Sequence, residues 1–151
     1  MKDGRPEKAP QTYSGGMDDV ITGDGWAVAH LENLGDGPGF RKIRSALGIN
    51  AFGMNAIVLP PGIETGRHFH ERQQEVYFLH AGRIEIEFGD DETQVLEPGG
   101  LARVDPSTVR RIRNVGDVDA VYVVVGGDGG YVGRDGHVPE EDEERYRATQ
   151  R

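Results

Sequence analysis

From Trp26 to Val125 the chain is cut into short apolar or alternating runs, each closed within a few residues by Gly, Pro, Asp or Asn. Segments of that length are strands rather than packed helices, because a helix needs several uninterrupted turns to bury one face. The expected strands are Trp26–Leu31, Ala51–Leu59, Glu75–His80, Arg83–Phe88, Thr93–Leu96, Leu101–Val104, Val109–Asn114 and Ala120–Val125. Glu85 and Glu87 alternate with Ile84, Ile86 and Phe88, the pattern of a strand with one face in a core and the other in water. Helical spacing shows only around Phe40, Ile43 and Leu47, where Gly48 ends it. Many short strands with so little helix define an all-β sandwich or small barrel.

The chain has 151 residues, enough for one domain, and its 36 % hydrophobic content supports one modest core. The barrel is expected over residues 26–126. Residues 1–25 mix charge, Pro and Gly and read as an N-terminal arm. Residues 127–151 read as a glycine-rich connection followed by an acidic C-terminal helix or tail. Within that tail Pro139 suits a first helical turn, and Glu141/Arg145 and Glu143/Arg147 are spaced as ion pairs along a helix.

Composition narrows the chemistry. Cysteine is absent, which removes disulfides, thiol nucleophiles and thiolate metal sites. The net charge of −9 opposes binding to nucleic acid, which requires a basic surface. No apolar run is long enough to span a membrane, and Met1 to Pro6 is too polar for a signal peptide, so a cytoplasmic location without membrane partners is expected.

Metal-competent side chains concentrate in one stretch, Gly62 to Glu75. On a strand His68 and His70 project to the same face while Phe69 points away. The polar residues Glu71–Gln74 can turn the chain, so that the next strand starts at Glu75 and returns its carboxylate toward the two rings. Glu75, Tyr77 and Leu79 then share a face, making Tyr77 a neighbour of the site. Two imidazoles and a carboxylate on one side of a cation leave positions open for water, substrate or dioxygen.

The spacing Gly62-x5-His68-x-His70-x4-Glu75-x6-Gly82, with Pro60-Pro61 before it, resembles the first motif of the cupin family at every defined position. The resemblance runs from about Phe52 to Val125 and is to compact single-domain bacterial members. It implies an antiparallel jelly-roll barrel, a homodimer, and one divalent metal (Fe, Mn, Ni, Cu or Zn) held by His68, His70 and Glu75. A small-molecule ligand or substrate is implied as partner.

The second motif departs from the family. Asp105-Pro106 and the strand ending in Asn114 resemble it, but Arg110 stands four residues before Asn114, where a fourth ligand, His, is usual. Arginine is always protonated and cannot coordinate a cation. Strand parity places Arg110 and Ile112 on one face and Arg111 and Arg113 on the other. Two readings follow. In one, a three-ligand metal site uses Arg110 to clamp a small anionic molecule, with Arg110 and Tyr77 serving a dioxygenase- or isomerase-type reaction. In the other, Arg110 pairs with Glu75, its charge replaces the metal, and the barrel is a metal-free or non-enzymatic ligand-binding module. A metal-independent isomerase or epimerase with His68 or His70 as base is a third option.

Other features read more plainly. His30, His80 and His137 are isolated and expected to be structural or solvated. The run Gly126 to Gly136 lacks the ending of a phosphate loop and reads as a flexible connection leaving the barrel, one that could still fold over its mouth as a lid. Trp26, Phe52, Tyr77 and Phe78 are expected in the core or a subunit interface.

Overall fold

The computed structural model of the protein describes residues 20–144 and 147, together with the pairing of Gln11 and Thr12. Its strands are β1 (Gln11–Thr12), β2 (Ile21–Gly23), β3 (Trp26–Val28), β4 (Gly39–Arg41), β5 (Gly53–Leu59), β6 (Phe69–His70), β7 (Gln74–Ala81), β8 (Ile84–Phe88), β9 (Glu92–Leu96), β10 (Leu101–Val104), β11 (Arg110–Asn114), β12 (Ala120–Gly127) and β13 (Gly136–His137), with one short helix, α1 (Ile43–Leu47). All pairings are antiparallel. One sheet of the barrel has the order β10-β7-β12-β5-β4 and the facing sheet has β11-β8-β9. The segment before β6 lies along the free edge of β11, bridged at Glu64↔Arg113 and His68↔Arg110, and β6 in turn pairs with β13.

The core fills the space between the sheets. Leu79, Ile84 and Ile86 are fully buried, and Leu59, Val104, Ile112, Tyr77 and Tyr122 pack with them. Burying each such side chain contributes about 1.5–3 kcal/mol. Ile84 and Ile86 face inward while Glu85 and Glu87 stay less buried, as their alternation requires. Gly82 turns β7 into β8 at φ 82°, and a Cβ there would stand 2.7 Å from the Ala120 backbone, so both the turn and the close approach need glycine.

Several boundaries differ from the sequence reading. The run Trp26–Leu31 pairs only to Val28, because Leu31–Asn33 winds into a single 3-10 turn. The short segments β2, β4, β6 and β13 carry too few residues for alternation to register. α1 covers Ile43 and Leu47 of the expected helical spacing and is closed by Gly48 in a left-handed conformation at φ 69°, whereas Phe40 lies in β4. At the C-terminus Pro139 opens a 3-10 turn, Glu140–Asp142, and Arg147 stands 3.4 Å from Glu143, while Arg145 lies outside the described residues. The arm reading falls mostly on residues 1–10 and 13–19, also outside them; Ile21–Gly23, within the arm, forms a strand with β3.

The glycine-rich segment is a correction. Gly126 and Gly127 end β12, and residues 128–138 do not leave the barrel but fold back against it, where β13 pairs with β6. Asp135 anchors this strap by accepting backbone N–H groups of Arg72 and Gln73 at 3.0 and 2.9 Å. Of the expected core aromatics, Tyr77 is buried, whereas Phe78, Phe52 and Trp26 are 39, 40 and 50 % exposed.

Candidate metal centre and cavity

The facing sheets bring the candidate donors together. His68 is positioned by a two-way backbone ladder with Arg110: His68 N–H donates to Arg110 O at 3.0 Å and Arg110 N–H to His68 O at 2.9 Å. His70 is fixed in β6, and after the turn Glu71–Gln73 the chain enters the other sheet at β7 with Glu75. Asp135 caps that turn, so the angle at which Glu75 returns depends on the strap. One ligand atom each from His68, His70 and Glu75 lies within 4.8 Å of the others. The two imidazole rings meet edge to face at 5.4 Å.

Three groups converge on Glu75 Oε1: Tyr77 donates its hydroxyl at 2.9 Å, Arg110 Nη2 donates at 3.2 Å, and His70 Nε2 lies at 3.2 Å. Oε2 accepts no hydrogen bond among the described residues. Burial works to raise the Glu75 pKa, but His70, Tyr77 and Arg110 outweigh it and hold the carboxyl below its usual range. His68 is pushed below the usual histidine range, first by burial and then by the Arg110 charge, which keeps its ring neutral. Burial, together with the Glu75 charge, drives the Tyr77 phenol far above its ordinary pKa, so it stays a hydrogen-bond donor.

This donor set fits a divalent metal. Its members are a neutral imidazole, a second imidazole and an ionised carboxylate, the states that ligation requires. His68 Nδ1 points to Gly66 O at 3.4 Å, which leaves Nε2 as acceptor. The Gln73 amide stands 2.9 Å from His70 Nδ1 and can present either N–H or carbonyl there, so it suits a proton on either ring nitrogen.

Arg110 is fully buried on the inward face of β11, as is Ile112, while Arg113 is exposed and Arg111 half-buried. Its Nη1 donates to Pro106 O at 3.2 Å and Thr108 O at 2.9 Å, and its Nε has no partner among the described residues. A cavity of about 1140 Å³ opens beside the donors, lined by His68, His70, Glu75 and the inward residues Ile57, Tyr122 and Val124; Arg110 lies behind Glu75 and does not line it. Tyr131, Arg134 and Asp135 of the strap form another wall. Gln73, Arg134 and Asp135 were not singled out by sequence reasoning. No spacing signal ties Asp135 to a turn more than sixty residues earlier.

His137 is not isolated. It stacks on Phe69 at 5.5 Å, and its Nε2 stands 3.2 Å from Glu71. With Asp135 these side chains form a second group of potential ligands at the strap's outer junction.

Fold and site together define a small antiparallel β-barrel with a His, His, Glu donor set on its inner wall. Residues 56–126 match the Cupin_2 family, described as the cupin domain. No curated protein matches it. Among solved structures it is similar to a conserved protein with a double-stranded β-helix domain from Klebsiella pneumoniae, at 23 % identity and TM-score 0.54, covering 60 % of this chain and 76 % of that one. A putative sugar phosphate isomerase from Acidithiobacillus ferrooxidans is 21 % identical with TM-score 0.58, covering 68 % of this chain and 65 % of that one. The DMSP lyase DddQ from Ruegeria pomeroyi is 20 % identical with TM-score 0.51, covering 59 % of this chain and 43 % of that one. These likenesses establish the jelly-roll fold.

Proposed function

We propose that the barrel holds one divalent transition metal on His68, His70 and Glu75 and acts on a small anionic organic molecule in the adjoining cavity, by an isomerase- or dioxygenase-type reaction. The observation that carries this reading is the convergence within 4.8 Å of three donor atoms, from β7, from β6 and from the segment bridged to β11, beside a cavity that can admit a ligand. When bound, the metal supplies Lewis acidity toward a ligand oxygen or an anchor for dioxygen. Arg110 and Tyr77 act through Glu75 by holding the orientation of its carboxylate. With neutral imidazoles, a dication and Arg110 together outweigh Glu75 by two charges, so the site favours an anion. A putative sugar phosphate isomerase and a DMSP lyase on similar folds support small-molecule chemistry.

The test is elemental analysis of untagged protein purified without chelator, beside His68→Ala/His70→Ala. About one metal per chain, lost in the variant, is expected. Wild type that stays metal-free after reconstitution overturns the reading. It leaves the second one, which rests on the 3.2 Å contact of Arg110 with Glu75: the arginine already compensates the buried carboxylate, and the barrel binds its ligand without metal.

The setting of this function is a cytoplasmic homodimer. The apolar outer face of the five-stranded sheet supports the dimer, since Leu101 and Phe78 lie directly opposite each other and are 65 and 39 % exposed. Sedimentation should give twice the chain mass, reduced to the monomer by Phe78→Arg; a monomeric wild type rejects the dimer.

A further inference from the structure

The cavity is chemically uneven. His68, His70 and Glu75 occupy one end, apolar side chains such as Ile57, Tyr122 and Val124 line the middle, and the strap supplies Tyr131, Val132 and Arg134. The carboxylates that reach it are all engaged. Glu75 is held by Arg110 and Tyr77, Asp142 by Arg67 at 2.9 Å, Glu64 by Arg113 at 2.9 Å, and Asp135 by two backbone N–H groups. The lining arginines Arg67 and Arg111 are likewise paired, the latter with Glu87.

Arg134 differs from them all. It lines the cavity, is exposed, and has no carboxylate within 4.0 Å among the described residues. It is also the one non-glycine residue among them with a positive φ, at 52°, a left-handed conformation that glycine adopts without strain. A residue held in such a conformation beside a cavity points to a role in binding rather than in folding.

We infer that Arg134 fixes the acidic group of the cavity's ligand, and that this ligand is an elongated anion with an apolar body. Its acid sits on the strap, its body lies against Ile57, Tyr122 and Val124, and its far end reaches His68, His70 and Glu75. The inference rests on the proposed function, in that the cavity takes an anionic organic molecule. It moves the anion contact from Arg110, sealed behind Glu75, to a guanidinium free to meet a ligand. Donation from a charged group to an anion gains roughly a tenfold preference or more over an uncharged isostere.

The test uses two fluorescent probes of nearly the same shape, anilinonaphthalenesulfonate and uncharged phenylnaphthylamine, titrated into the full chain. Arg134→Gly should weaken the sulfonate about tenfold while leaving the neutral probe within about twofold, because only the charge contact is lost. Since glycine accepts the backbone conformation, the thermal midpoint should not fall, and Arg134→Lys should recover part of the sulfonate affinity. Arg83→Ala, whose partner Glu97 also lies outside the cavity lining, should change neither probe. Equal loss of both probes, or no loss of either, overturns the assignment and leaves the cavity reading intact. A wild type that binds neither probe overturns it together with the cavity reading, whereas the metal content of the same sample reports on the donor set alone.

Discussion

Arg110 and Arg113 belong to the same strand and each faces a glutamate, yet they occupy opposite physical regimes. Arg110 is fully buried against Glu75, itself buried, and also donates to the half-buried carbonyls of Pro106 and Thr108. Arg113 meets Glu64 through two donors at 2.9 and 3.0 Å, a tighter geometry, but its side chain is 47 % exposed and Glu64 is 40 % exposed. The better-shaped pair is therefore the weaker contributor, because water competes for it and salt screens it. The buried pair matters less for its own attraction than for the cost of breaking it, which strands a carboxylate in the barrel.

This contrast can be broken experimentally. In metal-stripped protein Arg110→Ala should lose about 3–5 kcal/mol in urea unfolding at neutral pH, because Glu75 keeps its Tyr77 hydrogen bond but loses its arginine partner. Arg110→Met/Glu75→Leu should recover most of that loss, since two matched apolar side chains need no partner; a double variant as unstable as the single one would assign the loss to packing instead. A smaller effect should follow pH in metal-stripped protein. The folded pKa of His68 lies below its ordinary 6.5, so folding favours the unprotonated ring and stability falls as pH drops below 6.5. Glu75 and Asp135, both depressed below their ordinary 4.5 and 3.8, add stability above those values that is lost as pH falls through the lower folded ones. Urea midpoints should therefore decline on acidification throughout, and a midpoint that rises between about pH 6.5 and pH 5 would contradict the neutral His68 ring. Smallest of all, Arg113→Ala should stay within about 1 kcal/mol of the wild type and lose even that difference at high salt.

The parity of β11 was readable from sequence, since a period of two sets Arg110 and Ile112 on one face and Arg111 and Arg113 on the other; which face turns inward was not, and the burial of Arg110 and Ile112 gives it. The proximity of His68, His70 and Glu75 was readable for the same reason: a period of two aligns His68 with His70, and the polar tetrapeptide after them can turn the chain. Which way Arg110 points relative to a ligand was not readable. Its direction is set by Pro106 and Thr108, whose backbone carbonyls accept from the guanidinium, and carbonyl contacts of that kind leave no mark in the residue pattern. The strap was misread because glycine-rich composition speaks of backbone freedom and says nothing about long-range anchors. Asp135 is such an anchor, and the turn it caps contains no feature that calls for a distant carboxylate.

Gly136 pairs with His70 across the β6–β13 ladder. A donor of the candidate metal centre, whose own N–H donates to Pro106 O at 2.8 Å, thus stands in register with a segment ten residues beyond the matched cupin domain, which ends at 126. The boundary drawn by family resemblance and the boundary of the working site do not coincide. Cutting the chain where the resemblance stops would spare His68, His70 and Glu75 but remove one wall of their cavity, the cap on the turn between them and the neighbour strand of His70. The candidate site is built by the barrel together with the strap that follows it.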